Sequence, residues 1–275
     1  MVNSESVSTL SIIYMSISAV LAVLVPIGII IFMGVKKRLN WKAMLFGSLL
    51  FVIFVLILER ILHGLVLGSD PAKSVIYQNP ILFMLYGGLA AGIFEETARF
   101  LGFKFLIRIR DHESLDTGIS YGLGHGGIEA ILVGGLTAVG NLTTSVMFNS
   151  GALNSVMGDM NGEQLNTFKQ GLNTLITTPS SMFLMSGVER LIALVLQIAL
   201  SLFVFKAIAE KKWQYFVYAI LIHAGVDMIA VLFQKGIITN MYVLEGIVLI
   251  ATIVTAIVAF KINNRKSAFE ELNVK

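Results

Sequence analysis

The chain has 275 residues, of which 56% are hydrophobic and only 13% are charged, whereas soluble domains carry roughly 25% charged residues. This composition excludes an ordinary soluble fold and predicts a polytopic membrane protein. The absence of cysteine excludes disulfides, a cysteine nucleophile and a cysteine-ligated zinc. The net charge of +3 does not indicate a nucleic-acid partner, and we expect none.

Seven apolar runs are long enough to cross a bilayer, because a spanning helix needs about 20 residues. The predicted spans are 8–34, 43–67, 80–107, 117–147, 180–205, 214–234 and 239–260. The first run is too long for a signal peptide and lacks a basic leader, and the fourth is glycine-rich, which predicts a break or bend. We therefore predict an all-α fold: a polytopic transmembrane bundle of about seven helices, forming a single membrane domain over residues 1–275.

Basic residues predict the orientation of this bundle. With the N-terminus outside, the cytoplasmic segments hold 13 of the 20 Lys and Arg residues and the outer segments hold three. This asymmetry predicts an outer N-terminus and a cytoplasmic C-terminus. Residues 148–179 would then form an extracytoplasmic loop, with helical potential over residues 163–175. Residues 261–275 would form a cytoplasmic tail.

Ionisable and amide side chains are unusually frequent inside the predicted spans, although each charged group costs at least ~2.5–3.5 kcal/mol there. They occur in spans 2 to 7: Glu59, Arg60, His63, Glu95, Glu96, Arg99, His125, Glu129, Glu189, Arg190, Gln197, His223, Asp227 and Glu245. Helical rise places most of them in one middle slab of the membrane. Spans 3, 4 and 6 are thus expected to converge on one polar cavity, which opens toward the cytoplasmic half, where the histidines lie.

The spacing of these residues allows pairing within each helix. Arg99 follows Glu96 by three residues and Glu95 by four, so both carboxylates can reach it on one helix face. An internal ion pair that neutralises the segment would explain one carboxylate but not two. His125 with Glu129, and His223 with Asp227, are also four residues apart. That spacing suits metal ligands or acid–base pairs, and equally a hydrogen bond that satisfies a buried histidine.

Several short motifs occur in order along the chain. They are Glu95-Glu96-Thr97-Ala98-Arg99 in span 3, Tyr121 to His125 and Gly122 to Glu129 in span 4, and His223 with Asp227 in span 6. Together they resemble the YhfC-type intramembrane metalloproteases of bacteria, over most of the chain from span 2 to span 7. A more distant similarity extends to the CAAX prenyl endopeptidase-like (ABI) and PrsW-type membrane proteases. The two-residue gap between Glu96 and Arg99 is nearer the PrsW form, and Asp227 stands where ABI proteins usually have Asn.

The resemblance implies hydrolysis of a peptide bond by a Glu-activated water in a multi-pass protein of the bacterial plasma membrane. We expect Glu95 as the base and Glu96 with Arg99 as its orienting pair, although the two glutamates could exchange roles. The catalytic residues would be Glu95, Glu96, Arg99, His125, His223 and Asp227. His125, His223 and Glu129 would be the ligands of a divalent metal, most simply zinc, and a metal-free glutamate mechanism is the variant. The partners would be the lipid bilayer and a membrane-bound peptide or protein substrate.

Two other classes of protein fit the same residues. A proton-coupled transporter also carries Glu, His and Arg inside its spans, but the sequence shows no convincing inverted repeat. A catalytically silent membrane protein, of an immunity or scaffolding type, would use the pocket to bind a peptide or lipid. Cleavage of a substrate separates these alternatives from a protease.

Overall fold

The computed structural model describes residues 6–108 and 114–264. This part of the chain is helical and contains seven helices long and apolar enough to cross a membrane. The spans are Thr9–Val35, Trp41–Leu67, Pro80–Leu106, Leu115–Asn149, Ser180–Ala209, Trp213–Gln234 and Met241–Asn264. All seven predicted spans are confirmed, with boundaries that differ by a few residues. The polytopic helical bundle is therefore established, and the orientation of its termini stays a prediction.

The individual helices are α1 Thr9–Val35, α2 Trp41–Phe51, α3 Arg60–Leu67, α4 Val75–Gln78, α5 Pro80–Arg108, α6 Leu115–Glu129, α7 Leu136–Asn149, α8 Leu153–Gly158, α9 Gly162–Thr177, α10 Ser180–Ala209, α11 Trp213–Gln234 and α12 Met241–Asn264. A 3₁₀ turn, Pro71–Lys73, precedes α4. Two π-helical segments, Val52–Glu59 and Ala130–Gly135, interrupt the second and fourth spans. The predicted irregularity of span 4 is the second of these. π-helical segments are rare in proteins, and those that occur are often found at functional sites.

The chain divides into two compact units, and every residue of the predicted site belongs to one of them. The first unit is the chain up to Gly28 with Ala130–Leu191, and the second is Ile29–Glu129 with the residues from Ile192 onward. The predicted single domain over residues 1–275 stays a prediction. The predicted tail begins inside α12, and its residues 265–275 lie outside the described part of the chain.

In the first unit, α9 occupies the long loop where helical potential was expected. Its first turn is fixed by a capping box, in which the Asn161 side chain accepts from the Gln164 backbone and the Gln164 side chain accepts from the Asn161 backbone. Such reciprocal bonds satisfy two backbone donors that a helix start leaves unpaired. Leu175 on α9 packs in a small core with Val7 and Met15. The loop is thus an ordered helical element.

In the second unit, the close contact of α2 with α6 depends on glycine. A Cβ built on Gly47 would lie 2.2 Å from the Tyr121 carbonyl oxygen, and one on Gly124 would lie 2.0 Å from that of Met44. Neither position has room for a larger residue, so the two backbones approach as small residues allow in membrane helices. Asn40 caps α2 and also donates to Thr117 on α6 through its side chain, at 3.1 Å.

Close contacts at glycine residues also hold α5 against α11. A Cβ on Gly88 would lie 2.5 Å from the Ala224 carbonyl oxygen, and one on Gly92 would lie 2.9 Å from that of Ile220. The inner part of α10, from Ile192 on, is largely buried and lies against α6. A Cβ built on Gly122 of α6 would lie 2.6 Å from the Ile198 Cα, so the close contact depends on this glycine. These contacts fix the rotation of α5, α6, α10 and α11, and hence the directions of their polar side chains.

Candidate functional site

The centre of the polar cluster is Arg99 on α5, whose side chain is completely buried. Its guanidinium donates to the carboxylates of both preceding glutamates, to Glu96 Oε1 and, at 3.4 Å, to Glu95 Oε2. The predicted pairing at three and four residues is therefore present with both carboxylates. Arg99 also reaches α10, where Gln197 Oε1 and Ser201 Oγ accept from it, the latter at 3.2 Å. The arginine thus neutralises the segment and ties α5 to α10.

His125 on α6 is fully buried and faces Glu95. Its Nε2 lies 2.8 Å from Glu95 Oε2, within hydrogen-bond distance, and the edge of its ring meets Phe51 with centroids 5.0 Å apart. His125 Nδ1 makes no hydrogen bond within the described residues. The histidine of span 4 and the carboxylate of span 3 therefore form one direct pair between two helices.

His223 on α11 faces the second glutamate. Its Nδ1 lies 2.7 Å from Glu96 Oε1, and its Nε2 lies 3.8 Å from Glu95 Oε2 and 3.6 Å from Asp227 Oδ2. An ionised carboxylate only accepts hydrogen bonds, so Nδ1 carries the proton of the short contact. The ring consequently turns Nε2 toward the gap between Glu95 and Asp227. Spans 3, 4 and 6 meet at one polar centre, as the sequence predicts.

Gln197 on α10 is a member of this centre that the sequence analysis left outside the predicted site. Besides accepting from Arg99, its amide donates to Glu95 Oε2 at 3.1 Å and to Glu129 Oε2 at 2.6 Å. One buried amide therefore orients the guanidinium and two carboxylates at once. The signal was the spacing of Gln197 and Ser201, which lie four residues apart and so on one face of an otherwise apolar helix.

Among the described residues, Glu95, His125 and Glu129 form a group that could hold a metal ion, because their ligand atoms all lie within 4.8 Å of one another. The sequence-based ligand set was His125, His223 and Glu129, so the structure puts Glu95 where His223 was expected. The predicted role of His223 as a ligand stays a prediction. One imidazole and two carboxylates suit a divalent ion of the zinc type, which accepts both ligand chemistries.

The charge of the centre also fits a divalent cation. The centre contains four carboxyl groups: those of Glu95 and Glu96 contact Arg99, that of Glu129 contacts Gln197, and that of Asp227 lies beside His223. Glu96 Oε2 is buried and makes no hydrogen bond within the described residues. Buried carboxylates in excess of their cations are costly in a membrane, and they take up protons or metal ions. The donor set therefore fits a bound metal.

A second group of polar side chains that contact one another lies beside this centre, at the end of the π-helical segment in span 2. Glu59 is buried, and its Oε1 lies 3.4 Å from His63 Nε2, whose Nδ1 lies 2.6 Å from the hydroxyl of Tyr86 on α5. Glu59 and His63 were recognised from the sequence as polar groups inside a span but were not part of the predicted site. Glu59 lies within electrostatic range of Glu95 and Asp227, so the two polar groups of the second unit adjoin each other.

The expected opening toward the predicted cytoplasmic half stays a prediction, and no opening lies at Tyr121. Tyr121 is fully buried, with its hydroxyl donating to the Ala98 carbonyl at 3.1 Å and its ring 4.4 Å from that of Phe103. Both rings belong to a large core cluster that also includes Leu106, Leu200 and Leu202. The site is instead exposed on the side of Asp227.

These features define a multi-pass membrane protein with a buried centre of glutamate, histidine and arginine on three neighbouring spans. Comparison with known proteins assigns it more closely: the model of the YhfC intramembrane metalloprotease family matches residues 21–248. The chain is also 33% identical over 264 residues to the Bacillus subtilis (strain 168) protein named "Uncharacterized membrane protein YhfC", covering 96% of this chain and 100% of that one. The chain belongs to the YhfC intramembrane metalloprotease family. No solved structure matches it significantly.

Proposed function

We propose that the protein hydrolyses a peptide bond in a membrane-associated substrate, with Glu95 as the base that deprotonates the attacking water. The observation that carries this proposal is the direct contact of Glu95 with His125, at 2.8 Å between two spans. A carboxylate and an imidazole at this distance can together hold one water molecule, which then lies between this pair and the carbonyl group of a substrate. Family membership supports the reaction class.

Glu95 suits the role of base better than Glu96. The hydrogen bonds that Glu95 makes with described residues all go through Oε2, which leaves Oε1 to accept a proton. Its side chain keeps some solvent access, whereas that of Glu96 has none. A base must be reached by the water that it activates. Glu96, bonded to Arg99 and His223, fixes the position of both and so acts as a positioning residue.

His223 is placed to act on the substrate carbonyl. Glu96 holds its Nδ1, and in its imidazolium form the ring would donate from Nε2 into the gap between Glu95 and Asp227. A donor there stabilises the oxyanion that forms when the water oxygen bonds to the carbonyl carbon and Glu95 takes the water proton. When the carbon–nitrogen bond then breaks, the departing amine takes up a proton from Glu95 or His223. The products are a carboxylate and an amine.

A divalent metal, with zinc as the expected ion, would be held by Glu95, His125 and Glu129. Bound there, the ion would acidify a water and polarise a carbonyl. Glu95 can serve as both ligand and base, because its two oxygens face different neighbours. The residues of the chain supply the remaining functions: Arg99 and Gln197 fix the carboxylates, and His223 stabilises the charge that develops on the substrate.

Cleavage of membrane-tethered reporter peptides by the purified protein in liposomes tests this proposal. The wild-type protein should release fragments with new termini, and Glu95→Gln, which keeps the shape but removes the proton acceptor, should not. The matched control is Glu163→Gln on α9, an exposed glutamate in the other unit. If a broad reporter panel is cut by neither the wild type nor the control, and no metal copurifies, the protein is a silent binding protein and the proposal is abandoned.

A further inference from the structure

A groove of about 340 Å³ opens beside the candidate site, between α3, α5 and α11. Its walls are apolar, formed among others by Leu67, Phe83 and Val231. Polar side chains line it as well, namely His63, Tyr86 and Asp227. The volume is at the lower end of the ~300–1,000 Å³ typical of ligand sites. The groove combines apolar surface with a few converging polar groups, which is the composition of a binding site.

Asp227 joins this groove to the catalytic centre. It lines the groove, and its Oδ2 lies 3.6 Å from Nε2 of His223. Side-chain exposure rises along the same path, from 0% at Arg99 and 8% at Glu95 to 35% at Asp227 and 39% at His63. The polar centre is therefore reached from the groove.

The length of the groove matches a short extended chain. Asp227 and Gln234, the first and last groove residues of α11, are separated by seven residues, or about 10 Å of helix. That length holds about three residues of extended chain at ~3.3–3.6 Å each.

The polar groups of the groove suit an extended backbone. A chain without helical hydrogen bonds is tolerated at membrane depth only where protein groups satisfy its N–H and C=O groups. Tyr86, His63 and Asp227 line the groove with polar side chains that can serve this purpose. The apolar walls suit side chains of modest size, because Gly87 forms part of the lining and even a Cβ there would lie 3.2 Å from Val231 Cγ2.

We propose that this groove is the substrate channel, and that it binds an unwound peptide segment of about three residues with small or medium apolar side chains. The segment runs past Asp227 to Glu95 and His223. This inference rests on the proposed function, because it names the substrate conformation that the same centre would act on. It also assigns Gly87, Tyr86 and His63, which touch neither Glu95 nor His125, to substrate binding.

The test uses the full-length protein carrying Glu95→Gln, so that binding is read without cleavage. The probe is a nonapeptide of alternating alanine and diazirine-leucine with a biotin tag, photo-crosslinked in detergent micelles and mapped by mass spectrometry. Adducts are expected on the facing sides of α3, α5 and α11. Adding Gly87→Leu should lower the yield of these adducts about tenfold, the effect of roughly 1.4 kcal/mol.

Gly64→Leu on α3 is the matched control, because a Cβ there meets nothing within 4 Å and the glycine is exposed. It should leave labelling unchanged. Ala230→Trp fills the groove from α11 and replaces Gly87→Leu if that variant does not fold. A helix-stabilised peptide of the same length should label the groove weakly. Adducts outside the groove, insensitivity to both filling variants, or equal labelling by the helical peptide overturns the proposal.

The two proposals fail in different ways. Specific groove labelling without reporter cleavage by the wild-type protein would keep the peptide-binding channel and remove the protease activity. Reporter cleavage that is insensitive to Gly87→Leu and Ala230→Trp would keep the protease and remove the channel.

Discussion

Glu96 Oε1 and His223 Nδ1 lie 2.7 Å apart and join α5 to α11 in the interior of the second unit. The same oxygen accepts from Arg99, so one carboxylate orients both a histidine and an arginine. The surroundings of the two glutamates therefore differ. Glu96 is enclosed and positions its neighbours, whereas Glu95 contacts His125 and keeps access to solvent.

Arg99→Ala should destabilise the protein strongly, because it leaves the carboxylates of Glu95 and Glu96 buried without their cation. Removing one partner of a buried pair costs about 3–5 kcal/mol. The free energy of unfolding in mixed detergent micelles measures this loss. Arg38→Ala, which removes a more exposed pair with Asp116, is the control and should cost about 1 kcal/mol or less. Equal costs for the two variants would show that the Arg99 network does not stabilise the fold.

His125→Ala and His223→Ala should separate metal binding from the other functions of the centre. His125 belongs to the Glu95–His125–Glu129 group, whereas His223 contacts Glu96. We therefore expect His125→Ala to lose copurified metal and His223→Ala to retain it, with turnover reduced in both. Elemental analysis per mole of protein gives the answer, and Glu163→Gln on α9 serves as the control. Loss of metal in His223→Ala would restore the ligand set predicted from the sequence.

Gln197→Leu should lower turnover more than it weakens substrate binding. The amide fixes Arg99, Glu95 and Glu129, and its loss leaves a buried donor and acceptors unsatisfied, at about 1–3 kcal/mol of stability. The misplaced base should reduce kcat about tenfold or more, at 1.36 kcal/mol per factor of ten, while KM for the reporter stays close to that of the wild type. Ser201→Ala removes only one bond to Arg99 and should have a smaller effect. A rise in KM with unchanged kcat would assign Gln197 to substrate binding instead.

Gly88→Ala should be poorly tolerated and Gly225→Ala well tolerated, although both glycines lie in membrane-spanning helices. A Cβ at Gly88 would lie 2.5 Å from the Ala224 carbonyl oxygen, whereas one at Gly225 meets nothing within 4 Å. Overpacking of this kind costs about 1–3 kcal/mol. Thermal unfolding midpoints of the two variants compare the sites directly, and similar midpoints would contradict the close packing of α5 on α11.

Helical geometry determines which side chains can pair within one helix, but it does not determine which side chains pair between helices. Spacing along one helix predicts that Arg99 reaches Glu95 and Glu96, because positions three and four residues apart share a face. The same rule paired His125 with Glu129 and His223 with Asp227. In the structure the short contacts of the two histidines go to Glu95 and Glu96 on another helix.

Pairing between helices depends on how each helix is rotated, which is determined by contacts such as those of Gly47, Gly88 and Gly92. A single sequence does not reveal which glycine meets which backbone. The four-residue spacing of Gln197 and Ser201 marks one polar face of span 5, but it does not show which carboxylates or guanidinium that face meets, so the partners of Gln197 became visible only in three dimensions. The groove could not be predicted, because it forms between three helices that are distant in sequence.

The most direct test of a water-based cleavage at Glu95 is isotope incorporation during reporter cleavage in H₂¹⁸O. Each fragment with a new C-terminus should carry one ¹⁸O atom in its carboxylate, because the oxygen that Glu95 activates becomes part of the product. Wild-type protein in liposomes should yield this labelled fragment, and Glu95→Gln should yield none. Labelled fragments formed at equal rates by wild type and Glu95→Gln would contradict the account.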